Sequence, residues 1–274
     1  MLTFVDSISL AGDRTKQNDD AYGHSGARAW VIDGATDLHD APLTGYASDA
    51  SWMAQRANTF FHAVDGDMRA LFREASAEAR DFFNASDMLE RWKLPTAAVL
   101  MITETDFGVS GLDLGDARCC AIDAKGEVYQ RGGPPLAADN ETKAAAAQAA
   151  KAGSTPLLKH ESTLDYLRAG REKHNEPGSY SIFGLQPECA DLAREWEIRI
   201  SRPAHILLMT DGFSALVDRY AAYDAAGLMR AALDKGLAEL TRELRAIETQ
   251  DSNGAQHPRW KRSDDATAML LFLS

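Results

Sequence analysis

The chain of 274 residues has little cysteine, no long apolar run and no surplus of basic charge. Its three cysteines, Cys119, Cys120 and Cys189, lack the spacing of a zinc site. Cys119 and Cys120 are adjacent, so on a strand they would face opposite sides of a sheet, and all three read as packing residues in a reducing compartment. No run approaches the ~20 apolar residues that a membrane-crossing helix needs. The opening Met1-Leu2-Thr3-Phe4-Val5-Asp6 has no basic segment and is interrupted by Asp6, so no secretory leader is expected. A cytoplasmic protein without membrane contact is the resulting expectation. With 29 Lys and Arg against 41 Asp and Glu, the formal charge of −12 argues against non-specific binding to nucleic acid, whose phosphates such a surface repels. Seven histidines are scattered and make no convincing metal set with the cysteines. No internal repeat or low-complexity tract stands out.

What is present is an ordinary globular composition, 45% hydrophobic and 26% charged, in a chain long enough to bury a core. The pattern centres on Ala29-Trp30-Val31-Ile32-Asp33-Gly34, an apolar run of strand length that ends in a carboxylate. It recurs at His205-Ile206-Leu207-Leu208-Met209-Thr210-Asp211-Gly212. Asp-Gly is also among the commonest turn dipeptides, so either copy alone is satisfied by a strand and a turn. Two copies would hand two carboxylates to one place, and the glycines would leave backbone carbonyls accessible to a hard cation.

In chain order, Phe4 to Leu10 reads as a first strand, followed by a polar loop from Ala11 to Asp20 in which Arg14 and Lys16 precede Asp19 and Asp20. A helix is expected to open at Asp37 to Pro42 and to carry Tyr46, Ala50, Met53, Ala57, Phe60 and Val64 at spacings of three and four; a second covers about 67–83. Thr96 to Thr103 reads as a buried strand, Val109 to Leu114 as an alternating strand ending at Gly115-Asp116, and Cys119 to Asp123 with Glu127 to Gln130 as a hairpin. Ala193 to Ile200 is expected to form a hairpin with the strand before Asp211, across Ser201-Arg202-Pro203. A short helix to about Tyr220, one long helix from about Asp224 and a closing strand, Ala266 to Leu273, complete the order. Helices followed by several strands in a row suit antiparallel sheets covered by helices. Residues 134–184 lack enough large apolar side chains for a core of their own and read as a peripheral insertion.

Five acidic loci share one description: Asp19-Asp20 after the first loop, Asp33 and Asp211 at strand ends, Asp116 just past a strand, and Asp264-Asp265 before the last strand. Gathered without compensation such charges repel, so a cluster of them implies bound divalent cations. Oxygen-only ligation selects Mg²⁺ or Mn²⁺ over zinc.

The order of these motifs resembles that of the metal-dependent protein phosphatases, the PPM or type 2C serine/threonine phosphatase family, in its bacterial form. Gln17-Asn18-Asp19-Asp20 is similar to the family's Asn-Glu-Asp signature, Asp33-Gly34 to its Asp-Gly metal loop, and Thr96-Ala97 to the Thr-Ala pair that opens a central strand. Gly115-Asp116-Ala117-Arg118 is similar to Gly-Asp-Ser-Arg, Thr210-Asp211-Gly212 to Ser/Thr-Asp-Gly, and Asp264-Asp265-Ala266-Thr267 to the final Asp-Asn/Asp-x-Thr. The resemblance spans the chain except for about 134–184. It implies an α+β fold, a four-layer αββα sandwich of two antiparallel β-sheets flanked by helices, as a single domain over residues 1–274 with a variable insertion or flap at about 134–184. In the family that region often lies beside the active site, where it would set specificity. It further implies that Asp33 bridges two metals with the Gly34 carbonyl on one of them, and that Asp211 and Asp264 bind the other. Asp19 would touch the water shell of that second metal, and Asp116 with Asp211 would form a third position. Two or three Mg²⁺ or Mn²⁺ ions are the implied cofactors. The implied reaction is hydrolysis of phosphoserine and phosphothreonine monoesters in phosphorylated protein substrates by a water held between metals.

Arg14 is the expected phosphoryl-binding cation, with Lys16 second. The family's arginine lies four residues before the signature acid, where this chain has Thr15, so Arg14 matches with the loop displaced by one residue. Ala35-Thr36-Asp37 follows Asp33-Gly34, so a histidine acid for the leaving group is absent there, and Asp19 is shorter than glutamate by one methylene. Arg259-Trp260-Lys261-Arg262 reads as a solvated charged loop or as a basic lip that meets substrate. Two rival classes stand beside the hydrolase. One is a catalytically weak regulatory or binding module on the same fold, suggested by the altered loop after Gly34. The other is a different two-metal phosphoester hydrolase such as a nuclease, disfavoured by the acidic balance and the lack of a basic, aromatic groove.

Overall fold

The computed structural model describes residues 1–83, 89–133, 143–149, 157 and 160–274. Two five-stranded antiparallel sheets lie at its centre. The first is formed by β1 (Leu2–Leu10), β6 (Arg118–Asp123), β7 (Val128–Gly132), β9 (Ala204–Met209) and β10 (Ala266–Leu273), in the order β1-β10-β9-β6-β7. The second is formed by β2 (Asp20–Ser25), β3 (Arg28–Gly34), β4 (Ala97–Thr105), β5 (Gly108–Leu114) and β8 (Arg194–Arg199), in the order β2-β3-β4-β5-β8. Helices α1 (Asp49–Ala63) and α2 (Met68–Phe83) pack on the second sheet. Helix α3 (Glu161–Arg171) follows, and α4 (Asp211–Asp218), α5 (Ala225–Lys235) and α6 (Leu237–Gln250) pack on the first sheet. No described helix is long and apolar enough to cross a membrane.

Strand periodicity explains the layers. Along β3, Trp30 and Ile32 enter the core under α1 and α2, whereas Ala29 and Val31 enter the core between the sheets. Along β9, Leu207 and Met209 meet Leu228, Leu240 and Leu244 under the helices, while Ile206 and Leu208 face the other sheet. Both faces of these strands are covered, so their sequences are apolar throughout rather than alternating. Cys119 and Cys120 divide in the same way between the two cores. Burial pushes both thiols up, Cys120 to about 12, as befits packing groups.

Four expectations need correction. Residues 37–48 form a loop rather than the first turns of a helix, and Tyr46 is exposed. Local side chains take up the backbone donors there: Leu43 and Thr44 donate to the Asp49 carboxylate, and the amides of Asp49 and Ala50 donate to Asp37. Helix α1 therefore starts at Asp49, with Ser48 as its cap accepting from the Ser51 amide at 3.0 Å. Second, β8 forms no hairpin with β9. Its exposed Arg194, Glu195, Glu197 and Arg199 suit an edge, where it pairs with β5, whereas β9 lies between β10 and β6 in the other sheet. Third, Asp20 to Ser25, read as the end of a polar loop and its sequel, is strand β2 at the edge beside β3. Fourth, the long C-terminal helix is two, broken at Gly236 with φ 80°, which leaves Leu233 39% exposed.

The 134–184 segment is peripheral only in part, and residues 134–142, 150–156, 158 and 159 lie outside the described residues. At its end, Phe183 bridges to Ala97 and is fully buried against Phe61 and Phe72, with ring centroids 6.4 and 5.9 Å away. Phe183→Ala is expected to cost about 3–5 kcal/mol in urea unfolding; a loss below about 1 kcal/mol would remove this residue from the core.

Candidate metal and active site

Topology delivers the acids to one end of the sandwich. In the second sheet Asp20 starts β2 and Asp33 nearly ends β3, and the two are direct cross-strand partners. The next strands align at the same edge, with Asp33 opposite Ala98 and Val99 opposite Leu114, so Asp116 emerges there just past β5. In the first sheet Met209 lies opposite both Ala268 and Arg118, which places Asp211 after β9 and Asp264 before β10 at the corresponding edge. Contact between the two edges is direct: the Asp211 amide donates to Asp33 Oδ2 at 3.3 Å, and the Thr210 hydroxyl donates to Asp20 Oδ2 at 2.9 Å.

Both Asp-Gly glycines serve close approach rather than a turn. Gly34 is the last residue of β3, and a Cβ there would stand 2.5 Å from the Asp19 carbonyl oxygen and 2.7 Å from that of Ala50. Gly212 lies in the first turn of α4, where a Cβ would come within 1.9 Å of the Asp265 carbonyl oxygen. Backbone segments carrying different acids are thus pressed together at glycine.

The carboxylates repel one another. Burial, then the charges of Asp20, Asp211, Asp116 and Asp264, push the Asp33 carboxyl well above its ordinary range. Burial likewise raises Asp20, with Asp265 and Asp264 adding to it against hydrogen bonds from Thr267 and Thr210. Asp19 is pushed up to about 6, by burial first and by Asp265 and Asp37, with the Ser48 hydroxyl and Lys261 opposing. Asp264 departs from the pattern: burial would raise it, but Lys261 and Arg219 hold it below the usual carboxylate range.

Asp33, Asp116, Asp211 and Asp264 are therefore electrostatic neighbours, as the sequence led one to expect. Asp19 stands further out, bonded to the Ser48 hydroxyl at the α1 cap. The residue across from Asp33 is Asp20, named in the sequence only as half of an acidic pair. Consecutive strand residues face opposite ways, so recognising β2 would have separated the two. Asp20 Oδ1 is buried without a hydrogen-bond donor. An orphaned carboxylate oxygen beside other carboxylates fits a hard divalent cation, and the all-oxygen donor set suits Mg²⁺ or Mn²⁺.

The rim carries cations beyond the expected Arg14 and Lys16. Arg14 and Lys16 are exposed on the β1–β2 loop, whose ends are tied down by Asp265 accepting from the amides of Gly12 at 2.7 Å and Asp19 at 2.5 Å. Arg259, read as part of a solvated loop, is buried and paired with Asp251 at 2.8 Å. Lys261 lies 2.5 Å from Asp264, and Arg219 3.9 Å from Asp211. Helix α3 touches both rim loops. Arg171 donates to the Thr36 carbonyl at 2.7 Å and Arg168 to that of Leu38 at 2.9 Å, while the Tyr166 ring meets Trp260 at 6.1 Å.

Among the described residues, Asp37, His39 and Asp49 bring one ligand atom each within 4.8 Å of one another. Their atoms are already engaged. Asp49 accepts from Leu43, Thr44 and His39, Asp37 accepts two helix amides, and His39 Nδ1 lies 2.9 Å from the Ala41 carbonyl oxygen. That group organises the loop before α1.

No family model matches the sequence, and no curated protein matches it. Solved structures do. The Mycobacterium tuberculosis serine/threonine phosphatase PstP/Ppp gives a TM-score of 0.59 at 14% identity, over 100% of this chain and 99% of that one. The catalytic domain of PstP in complex with 2 manganese ions gives 0.57 at 14% identity, over 99% of each chain. The PPM phosphatase MsPP from Mycobacterium smegmatis, in complex with cacodylate, gives 0.53 at 15% identity over 98% of each. This chain has the α+β sandwich fold of these bacterial PPM-type serine/threonine phosphatases.

A folded-state pKa raised from 3.8 to about 6 at Asp19 means that its stabilising contribution is complete below about pH 4 and lost as pH rises through about 6. In chelator, the protein should therefore lose stability between pH ~4 and ~7, and Asp19→Asn should reduce that loss by about 1–3 kcal/mol. Thermal unfolding at the two pH values measures it, and identical slopes for both proteins would contradict the assignment.

Proposed function

We propose that this protein hydrolyses phosphoserine and phosphothreonine monoesters in proteins, using Mg²⁺ or Mn²⁺ held by the acids at the end of the sandwich. The observation that carries this reading is the meeting of Asp20, Asp116, Asp211 and Asp264 from both sheets around Asp33, beside an Asp20 oxygen with no donor. The phosphatase fold and the two manganese ions of the PstP catalytic domain support it.

Asp33, with the Gly34 carbonyl and Asp20, would help hold one ion, and with Asp211 and Asp264 a second. Asp116 with Asp211 would offer a third, weaker position. Such ions lower the pKa of a water and neutralise charge on phosphoryl oxygens. Asp19, steadied by the Ser48 hydroxyl, would orient water at the rim. Arg14 would hold the phosphoryl group, with Lys16 as the second candidate: its loop is pinned at Gly12 to Asp265, and a guanidinium fork matches phosphate oxygens. The chain would act as one domain, and α3, clasping both rim loops, would stand where a phosphorylated substrate is read.

Mn²⁺ should support hydrolysis of an aryl phosphate and of a phosphothreonine peptide, and Asp33→Asn or Asp211→Asn should lower kcat by at least about a hundredfold. Activity indifferent to chelator would end the reading, and cleavage of DNA instead of phosphopeptide would favour the nuclease class. Arg14→Ala should raise KM by about tenfold with a smaller change in kcat, and an unchanged KM would take Arg14 out of phosphoryl binding.

A further inference from the structure

The acid centre already contains a cation of its own. Lys261, three residues before Asp264, places Nζ 2.5 Å from Asp264 Oδ1, and the charges of Asp211 and Asp33 also act on it. Its side chain is 30% exposed and that of Asp264 24%, so the pair sits at the mouth of the cluster with a way out to solvent. Arg219 adds positive charge on the same side, 3.9 Å from Asp211 Oδ2. The opposite side differs: Asp20 Oδ1 is buried with no donor, and Asp33 accepts a 3.3 Å bond from the Asp211 amide. The centre is thus electrostatically lopsided: Asp264 and Asp211 each have a cation within ion-pair distance, whereas Asp33 meets Lys261 only through longer-range charge and Asp20 Oδ1 has no donor.

An ammonium is a compact point charge with three donors on a flexible stem, and it can stand where a small cation would stand and leave again. Building on the hydrolase reading above, we propose that Lys261 is a tethered competitor for the metal position formed by Asp211 and Asp264. A divalent ion enters the Asp20 and Asp33 side without displacing protein charge. A second ion must first push the ammonium off Asp264. The two positions therefore fill with unequal affinity, and the second fills only when free metal is high enough to exchange with the lysine.

Calorimetric titration of the full chain with Mn²⁺ tests this on the wild type and on Lys261→Gln, which keeps the stem and removes the charge. The weaker binding step should tighten by about tenfold in the variant, while the stronger step changes by less than about twofold. Equal affinities in the two proteins, or a weaker second step in the variant, would overturn the proposal while leaving the hydrolase reading intact. Uptake of no Mn²⁺ by either protein would overturn both. Thermal unfolding of Lys261→Gln and Lys261→Met supplies a second readout. Each should melt below the wild type in chelator and draw level in saturating Mn²⁺, because the ion replaces the lost charge. A deficit that persists unchanged in Mn²⁺ would make Lys261 a structural support alone and overturn its role as competitor.

Discussion

Repulsion among like charges at one end of a closely packed sandwich is the constraint on which the rest of the molecule depends. Apolar strands buried on both faces fix where β3 and β9 end, and each delivers a carboxylate at or just past its end that the core gives no freedom to withdraw. Asp20, Asp116 and Asp264 arrive at the same edge from neighbouring strands. The burial that positions these groups also raises the cost of their charge, and the chain answers with Lys261 and Arg219 on one side only. Such an arrangement weakens the fold locally and is what a cation-binding centre requires.

Rigid elements hold that arrangement. The tight contacts at Gly34 and Gly212 bring the backbone of Asp19 and of Asp265 against the segments that carry Asp33 and Asp211. Ser48 caps α1 and also donates to Asp19, so the helix end and the rim acid share one hydroxyl. Arg171 of α3 remains charged although burial lowers it to about 10, and it ties the helix to the loop that follows Gly34. Positioning thus passes from the cores through caps and glycine contacts to the acids.

Much of this is legible in the sequence. Strand-length apolar runs stopping at Asp-Gly located β3 and β9, and the order of helices and strands gave the layered antiparallel architecture. The apolar run Ala266 to Leu273 matches β10 to the residue. What escaped notice has physical reasons. Asp20 to Ser25 is too polar to look like a strand, because as an edge strand it needs burial on less of its surface. Hairpin proximity suggested pairing β8 with β9, yet a strand apolar on both faces must lie between two neighbours, and an amphipathic one belongs at an edge. The apolar spacing through Tyr46 mimicked a helix that Asp37 and Asp49 prevent by capturing its backbone donors. The inward turn of Lys261 could not be read from a run of Arg, Trp, Lys and Arg that looks solvated, although its spacing of three from Asp264 was the available signal.

The most direct test of the central claim is the anomalous difference map of a crystal soaked with Mn²⁺. The account requires peaks bounded by Asp33 and Asp20 and by Asp211 and Asp264, with Asp20 Oδ1 as a ligand. Peaks confined to Asp37, His39 and Asp49, or no manganese among the strand-end acids, would contradict it.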